Sequence, residues 1–514
     1  MKILLLYPRY PDSFWSMKYA ARFIDKRAAY PPLGLLTVAS LIPGDWEKKL
    51  VDLNVQNSVE DEELKWADYV FISAMDIQKD STREIIDRCK SLGIKIVAGG
   101  PMFTSSPEEY TEVDHLILDE AEISFPQFLA DLEKGVPRHI YRAENRPNLS
   151  LTPIPDWDLI NMEDYVSMNV QFSRGCPYDC EFCDITYLYG RKPRLKPLDK
   201  FIMELEALYH KGWRGSVFIV DDNFIGNKGK LKKEILPALI DWMNKHEHPF
   251  SFITEASINL AEDDKLLSMM RDSGFQHVFV GIETPSEESL QECNKFLNIS
   301  KDLIACVKKI QNYGMQVSGG FIVGFDSDTP SIFERQIKFI QESGIVIAMV
   351  SLLNAPRGTK LFHRLKNENR LLPDFSGNNT DFSINFVPKM DMQELLEGYR
   401  SVVANIYDPS LYYQRITEFF KEFKPAKTPI NTGILTTYYI KAFFKAMFYL
   451  GIIEKGRRHY WKLLLKTLFK YPRFLPQAIT FAVYGFHFRK IFEKNIKNVE
   501  INLNKDYLDS PSYH

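Results

Sequence analysis

Short apolar runs alternate with stretches of helical periodicity over the first 140 residues. The runs at 3–7, 49–53, 69–73 and 95–98 have the length of buried strands, and the segments 33–41 and 81–92 carry apolar positions at helical spacing. This alternation predicts a parallel α/β sheet with crossover helices, a doubly wound Rossmann-like domain over residues 1–140. Residues 141–165 are polar, contain Pro147, Pro153 and Pro155, and read as a linker. A second βα series follows, with strands expected at 168–172, 216–220, 250–254, 277–281, 316–323 and 345–352, and helices between them such as 198–210 and 301–313. Six such units predict a partial (β/α)6 barrel over 166–390, with function at the carboxyl ends of its strands. Residues 391–514 read as a helical region, broken at Pro425 and Pro429 and basic and aromatic from 432 to 497.

Composition adds limits. The chain has 514 residues, 45% of them hydrophobic and 25% charged, as expected of a folded multidomain protein. The net charge of −3 gives no global field for nucleic acid, and no recognition motif accompanies the local basic charge. That charge is concentrated: residues 432–500 hold 13 Lys and Arg against 3 Asp and Glu. The start, Met1 to Pro8, is interrupted too soon for a signal peptide, and no apolar run reaches the 18 residues of a membrane span. Six cysteines are too sparse for a disulfide framework, so reduced thiols and a cytoplasmic setting are expected.

Three of those cysteines carry the chemistry. Cys176, Cys180 and Cys183 form a C-x3-C-x2-C loop directly after the first barrel strand. Three thiolates can hold three irons of a [4Fe-4S] cubane and leave the fourth open to a ligand. Zinc would take four ligands, usually two spaced pairs, and the other cysteines, Cys89, Cys293 and Cys306, are remote. In parallel α/β sheets ligands bind beyond the carboxyl ends of the strands. Those ends carry Asp52 and Asn54, Ser73 with Met75 and Asp76, and Gly99-Gly100-Pro101 in the first sheet, and Asp222-Asn223, Glu255 and Glu283 in the second. No G-x-G-x-x-G is present, which disfavours a nicotinamide dinucleotide.

The cysteine loop, its position and the barrel behind it resemble the radical S-adenosylmethionine (SAM) enzymes. The resemblance implies that SAM chelates the open iron and is cleaved to a 5′-deoxyadenosyl radical. It implies a SAM shell of Phe182, Asp222, Asn223, Glu255, Ser257, Glu283, Gly320, Gly324 and Pro356. The second strand departs from the glycine-glycine-glutamate of many members. The N-terminal domain is similar to the cobalamin-binding domain of one large subgroup through Pro32, Gly34, Asp52, Asn54, Ser73, Gly99, Gly100, Pro101 and Glu120. The D-x-H-x-x-G signature of histidine-ligated cobalamin is absent, so the resemblance implies that the lower face of the cofactor meets another group, for which the loop with Met75, Asp76 and Gln78 is one candidate. Residues 321–330, Tyr412 to Arg415, His459 to Lys462 and Tyr484 to Lys490 resemble the branch that includes the hopanoid C-2 methylases.

The function implied by these resemblances is cobalamin-dependent radical methylation of an unactivated carbon in an apolar lipid, hopanoid-like or pigment substrate, with a flavodoxin or ferredoxin as reductant. Cyclisation or oxidation without methyl transfer, and a non-catalytic iron–sulfur protein, are the alternatives. The basic aromatic tail at 432–497 reads either as a peripheral contact with the inner membrane face or as a helical cap on the barrel. No nucleic-acid partner is expected.

Overall fold

The computed structural model describes residues 1–373, 376–425 and 435–509. Strands β1 (Lys2–Tyr7), β2 (Glu47–Asp52), β3 (Tyr69–Ser73), β4 (Lys95–Gly99), β5 (His115–Ile117) and β6 (Ile140–Tyr141) form one parallel sheet in the order β2-β1-β3-β4-β5-β6. Both faces are buried. Leu4, Leu6, Val70, Ile72 and Ile96 pack on one side, and Ile3, Leu5, Phe71, Val97 and Ile117 on the other. A strand covered by helices on both faces has no polar face, which explains its continuous apolar run. The last two strands were not expected from the sequence, because three and two residues are too short to register as runs.

The second sheet contains β7 (Met168–Val170), β10 (Gly215–Ile219), β11 (Phe250–Glu255), β12 (Phe275–Glu283), β13 (Gln316–Val323) and β14 (Ile347–Leu352), paired in that order and all parallel. This is the expected six-stranded open barrel. Two short antiparallel strands, β8 (Ser173–Arg174) and β9 (Arg194–Leu195), bracket the cysteine loop. The connection between the sheets packs against both: Trp157 is buried, and Tyr165 donates a hydrogen bond to Asp52 at 3.0 Å.

The C-terminal helices cover the open edge of the barrel. Met392–Tyr407 and Pro409–Glu422 are separated at Asp408, whose carboxylate accepts from the Ser410 and Leu411 amides. Tyr399 and Tyr407 donate to the Val350 and Ala348 carbonyls of edge strand β14, at 3.1 and 2.6 Å. An edge strand otherwise presents unpaired backbone groups. The long helix Leu475–Asp509 returns to the N-terminal domain. Phe488 stacks on Phe14 at 4.2 Å, and His487 donates to the Phe14 carbonyl at 3.0 Å. Burial lowers the His487 pKa to about 4, which keeps the ring neutral, with Nδ1 free to accept from the Tyr19 amide.

Candidate active site

The carboxyl ends of the two sheets share one cavity of about 1390 Å³. A pocket for one drug-sized molecule measures about 300–1,000 Å³, so this space accommodates more than one ligand. Gly34, Asn54, Ser73, Met75, Gly99, Gly100, Pro101 and Glu120 line it from the first sheet. Asp222, Glu255, His277, Phe279 and Met349 line it from the barrel. Phe14 and Trp15, carried by the loop that the C-terminal helix pins, contribute a third wall. Trp15 packs edge-on against Phe279 at 5.4 Å and donates to the Met349 sulfur at 3.0 Å.

On the first-sheet side, the backbone is drawn in where a ligand can approach. Gly100 has φ +96°, and a Cβ there would lie 2.8 Å from Ser73 Oγ and 3.0 Å from the Ala74 carbonyl. A Cβ on Gly99 would lie 2.7 Å from the Ile117 carbonyl. Only glycine fits these two positions. Other residues expected at this site lie off the cavity wall. Asp52 is buried and accepts from the Asn54 amide, the Asn54 side chain and Tyr165. Gln78 is buried, donates to the Pro8 carbonyl and accepts from the Met75 amide, which fixes the turn that carries Met75. Burial and the neighbouring Asp184 raise the Asp76 pKa to about 6. Pro32 caps the start of the helix Leu33–Ala39.

The cysteine loop lies at the edge of the cavity. Gly175, at φ +94°, donates its amide to Asp222 at 2.6 Å, and the Cys176 amide donates to Gly190 at 3.2 Å. The Asn223 amide group lies 3.9 Å from Cys176 Sγ and donates to Ser257 at 3.2 Å. Burial pushes all three thiols upward, and Lys295 opposes it at Cys176 and Cys180. Among the described residues no three His, Cys, Asp or Glu side chains converge on a single ion position. A cubane does not need such a point, because each thiolate takes its own iron.

Two barrel carboxylates face the cavity with little compensation. Burial and the neighbouring aspartates raise the Glu255 pKa to about 8, and its carboxylate finds no hydrogen-bond donor among the described residues. Asp222 is raised to about 7 by burial, opposed by the Gly175 amide. Glu283, at φ 65°, is turned instead to Lys295 at 2.7 Å. Gly320 packs under Phe279, 2.9 Å from a notional Cβ. Gly324, at φ +103°, donates to Asp328 at 2.9 Å. Phe182 packs on Phe325 at 6.4 Å, and the Pro356 carbonyl accepts from Thr359 at 2.7 Å. Phe182, Asn223, Ser257, Glu283, Gly320, Gly324 and Pro356 therefore surround the cysteine loop and barrel top without lining the cavity itself.

The sequence reading missed the junction that joins the two halves. Arg174 donates to Glu120 at 2.6 Å and to Glu122 at 2.7 Å, and Arg194 donates to Glu120 at 2.7 Å. Glu120, expected to meet cobalamin, is thus held between two arginines of the strands that frame the cysteines. His277 and Trp15 were also missed. His277 stands inside the cavity with Nε2 2.6 Å from Ser318 Oγ, and burial lowers its pKa to about 4.

Three family descriptions match the chain: a B12 binding domain over residues 26–129, the radical SAM superfamily over 170–340, and a domain of unknown function, DUF4070, over 359–500. An uncharacterized methyltransferase of Synechocystis sp. is 40% identical over 511 residues, covering 99% of this chain and 95% of that protein. The hopanoid C-2 methylase of Rhodopseudomonas palustris is 35% identical over 419 residues, covering 80% of this chain and 78% of that protein. The fold is similar to that of the radical SAM methyltransferase TsrM from Kitasatospora setae, solved with cobalamin and a [4Fe-4S] cluster. Its TM-score is 0.61 at 13% identity, covering 96% of this chain and 99% of that one.

Proposed function

Because the chain belongs to the cobalamin-binding radical SAM methyltransferase family, in the branch of the hopanoid C-2 methylases, whose cofactors are a [4Fe-4S] cluster, SAM and cobalamin, we propose that it methylates an unactivated carbon of an apolar substrate. The observation that carries this reading is the single cavity onto which both sheets open, with the cysteine loop at its edge. Bound together, the three cofactors supply a radical able to take hydrogen from an unactivated C–H bond and a methyl group to replace it.

The chain's own residues supply the rest. Cys176, Cys180 and Cys183 would hold the cluster, with the Asn223 amide directed toward the first thiolate. Asp222 and Glu255 are placed to accept hydrogen bonds from the amine or the ribose hydroxyls of SAM; Glu255 has no donor of its own among the described residues, and Asp222 accepts from the Gly175 amide through one oxygen. Gly34, Ser73, Gly99 and Gly100 would form the cobalamin cradle, where a side chain on Gly99 or Gly100 would collide with the sheet. Phe14, Trp15, Phe279 and Met349 form one apolar stretch of the wall. They suit a substrate without charge and exclude the water that would quench a radical. A flavodoxin or ferredoxin would deliver the electron.

The test is anaerobic reconstitution with cluster, cobalamin, SAM and a reductant, with hopanoid-like lipids as substrates. Methyl transfer is expected to yield S-adenosylhomocysteine together with 5′-deoxyadenosine. Deoxyadenosine alone would reject methyl transfer and favour oxidation or cyclisation.

A further inference from the structure

The C-terminal helices divide their apolar residues between two faces. On Leu435–Phe448 and the turn after it, Ala442, Ala446 and Leu450 are buried, while Ile440, Phe444, Phe448, Ile452 and Ile453 point outward. On Arg457–Lys470, Tyr460, Leu463 and Leu464 are buried, while Trp461, Leu465, Leu468 and Phe469 are exposed. Phe469 is 83% exposed, Phe444 65% and Ile452 61%. Of the 21 large hydrophobic residues exposed in the described structure, ten fall between 440 and 469. Soluble monomers rarely gather so many in one place. The two stripes adjoin, because Trp461 donates to the Gly451 carbonyl at 2.9 Å.

Charge identifies the partner. Lys462, Lys466 and Lys470 run one position behind Trp461, Leu465 and Phe469 at the same helical spacing, and all three are exposed. From 440 to 473 there are nine Lys and Arg and one acid, Glu454, which is turned inward toward Arg489 at 3.7 Å. A purely apolar face would suit a protein partner equally well. Rows of lysine beside aromatic and aliphatic stripes fit the headgroup region of an anionic bilayer, where lysine meets phosphate and the rings enter the acyl boundary. Among the described residues no helix is long and apolar enough to cross a membrane, so these helices would lie on its surface.

We infer that the outer faces of Leu435–Phe448 and Arg457–Lys470 dock on an anionic lipid bilayer. The same face adjoins the cavity. Lys445 donates to the Arg22 carbonyl at 3.0 Å, Phe23 packs on Tyr449 at 5.9 Å, and Arg22 lines the cavity. An apolar molecule drawn from the bilayer there meets the rim of the chamber. That purpose rests on the apolar-substrate reading; the docking does not.

The experiment is flotation of the full-length, anaerobically purified holoprotein with phosphatidylcholine vesicles, with and without phosphatidylglycerol. The protein is expected to float with the anionic vesicles, less with the neutral ones, and less as salt rises. The triple variant K462E/K466E/K470E is expected to lose about 100-fold in apparent vesicle affinity. L465S/F469S is expected to lose flotation while keeping its bound cluster and cobalamin spectra. Wild-type protein that stays unbound at every lipid concentration overturns the inference. So does a dimer in sedimentation that L465S/F469S converts to monomer, since a second copy would then own the face. Docking without methylation of any apolar substrate would sink the proposed activity and leave this inference standing, and methylation without docking would do the reverse.

Discussion

Arg174, two residues ahead of the first cysteine, reaches across the junction of the two sheets to the Glu122 carboxylate 2.7 Å away. Glu122 also accepts from Thr152 at 2.7 Å. Burial alone would raise its pKa, but Arg174 brings it from the ordinary 4.5 down to about 2. The folded state therefore holds this carboxylate charged more strongly than the unfolded chain does. The stability it contributes is present above about 4.5 and is lost as pH falls toward about 2. E122Q is expected to flatten that acid loss in urea unfolding measured across this window. R174A, which strands buried Glu122 and leaves Glu120 with Arg194 alone, is expected to cost about 3–5 kcal/mol. Unchanged midpoints in R174A would contradict the junction's role.

Gly100 tests the cradle. G100A combines a left-handed backbone with a Cβ 2.8 Å from Ser73 Oγ. Strain of this kind costs about 1–3 kcal/mol. The variant is expected to melt earlier and to retain less cobalamin through gel filtration. G100A/S73A removes one contact but not the φ penalty, so it is expected to recover only part of the loss. Full retention of cobalamin in G100A would show that the cradle tolerates a side chain.

What the sequence revealed depended on how locally each feature is encoded. The cysteines are legible because all three ligands fall on one loop. The longer strands are legible because burial on two faces leaves an unbroken apolar run, as at Ile3–Leu6. Pairings made by the fold were not legible. Arg174 lies 54 residues from Glu120 and 52 from Glu122, and no periodicity links them. Trp15 reaches Met349 across 334 positions. The tail helix Arg457–Lys470 has apolar residues on both faces, so its pattern could not separate the core side, Leu463 and Leu464, from the exposed side, Leu465 and Phe469.

Glu255 gives the cavity a pH signature. Its pKa is raised from 4.5 to about 8, so the folded protein prefers it protonated. For a carboxyl raised in this way, the associated stability is present below about 4.5 and is lost as pH rises through about 8. E255Q, which stays neutral, is expected to weaken that decline in SAM-free protein and to melt higher than wild type above about pH 8. The same variant is expected to bind SAM more weakly by isothermal titration. Parallel melting curves for the two proteins from pH 5 to pH 9 would reject the assignment.

Cys176, Cys180 and Cys183 are each expected to be indispensable, since a cubane anchored by three thiolates has none to spare. C176A, C180A and C183A should each lose the broad iron–sulfur absorbance and all SAM cleavage after anaerobic reconstitution. C306A, at a half-buried position outside the loop, should keep both. Deoxyadenosine formation by any one of the three loop variants would dismantle the cluster assignment.

Lys295 sets the charge around that loop. Its side chain is 14% exposed, pairs with Glu283 at 2.7 Å, and acts on Cys180 and Cys183. A positive charge beside a thiolate-bound cluster favours the reduced, more negative state. K295M is therefore expected to lower the cluster midpoint by on the order of tens of millivolts. It also strands Glu283, so a loss of about 3–5 kcal/mol accompanies it. K295M/E283Q removes both charges together and is expected to restore most of the stability and to bring the midpoint back toward wild type. Redox titration followed by electron paramagnetic resonance reads the midpoint directly. A midpoint that stays low in the double variant would mean that lost packing, rather than lost charge, governs the site.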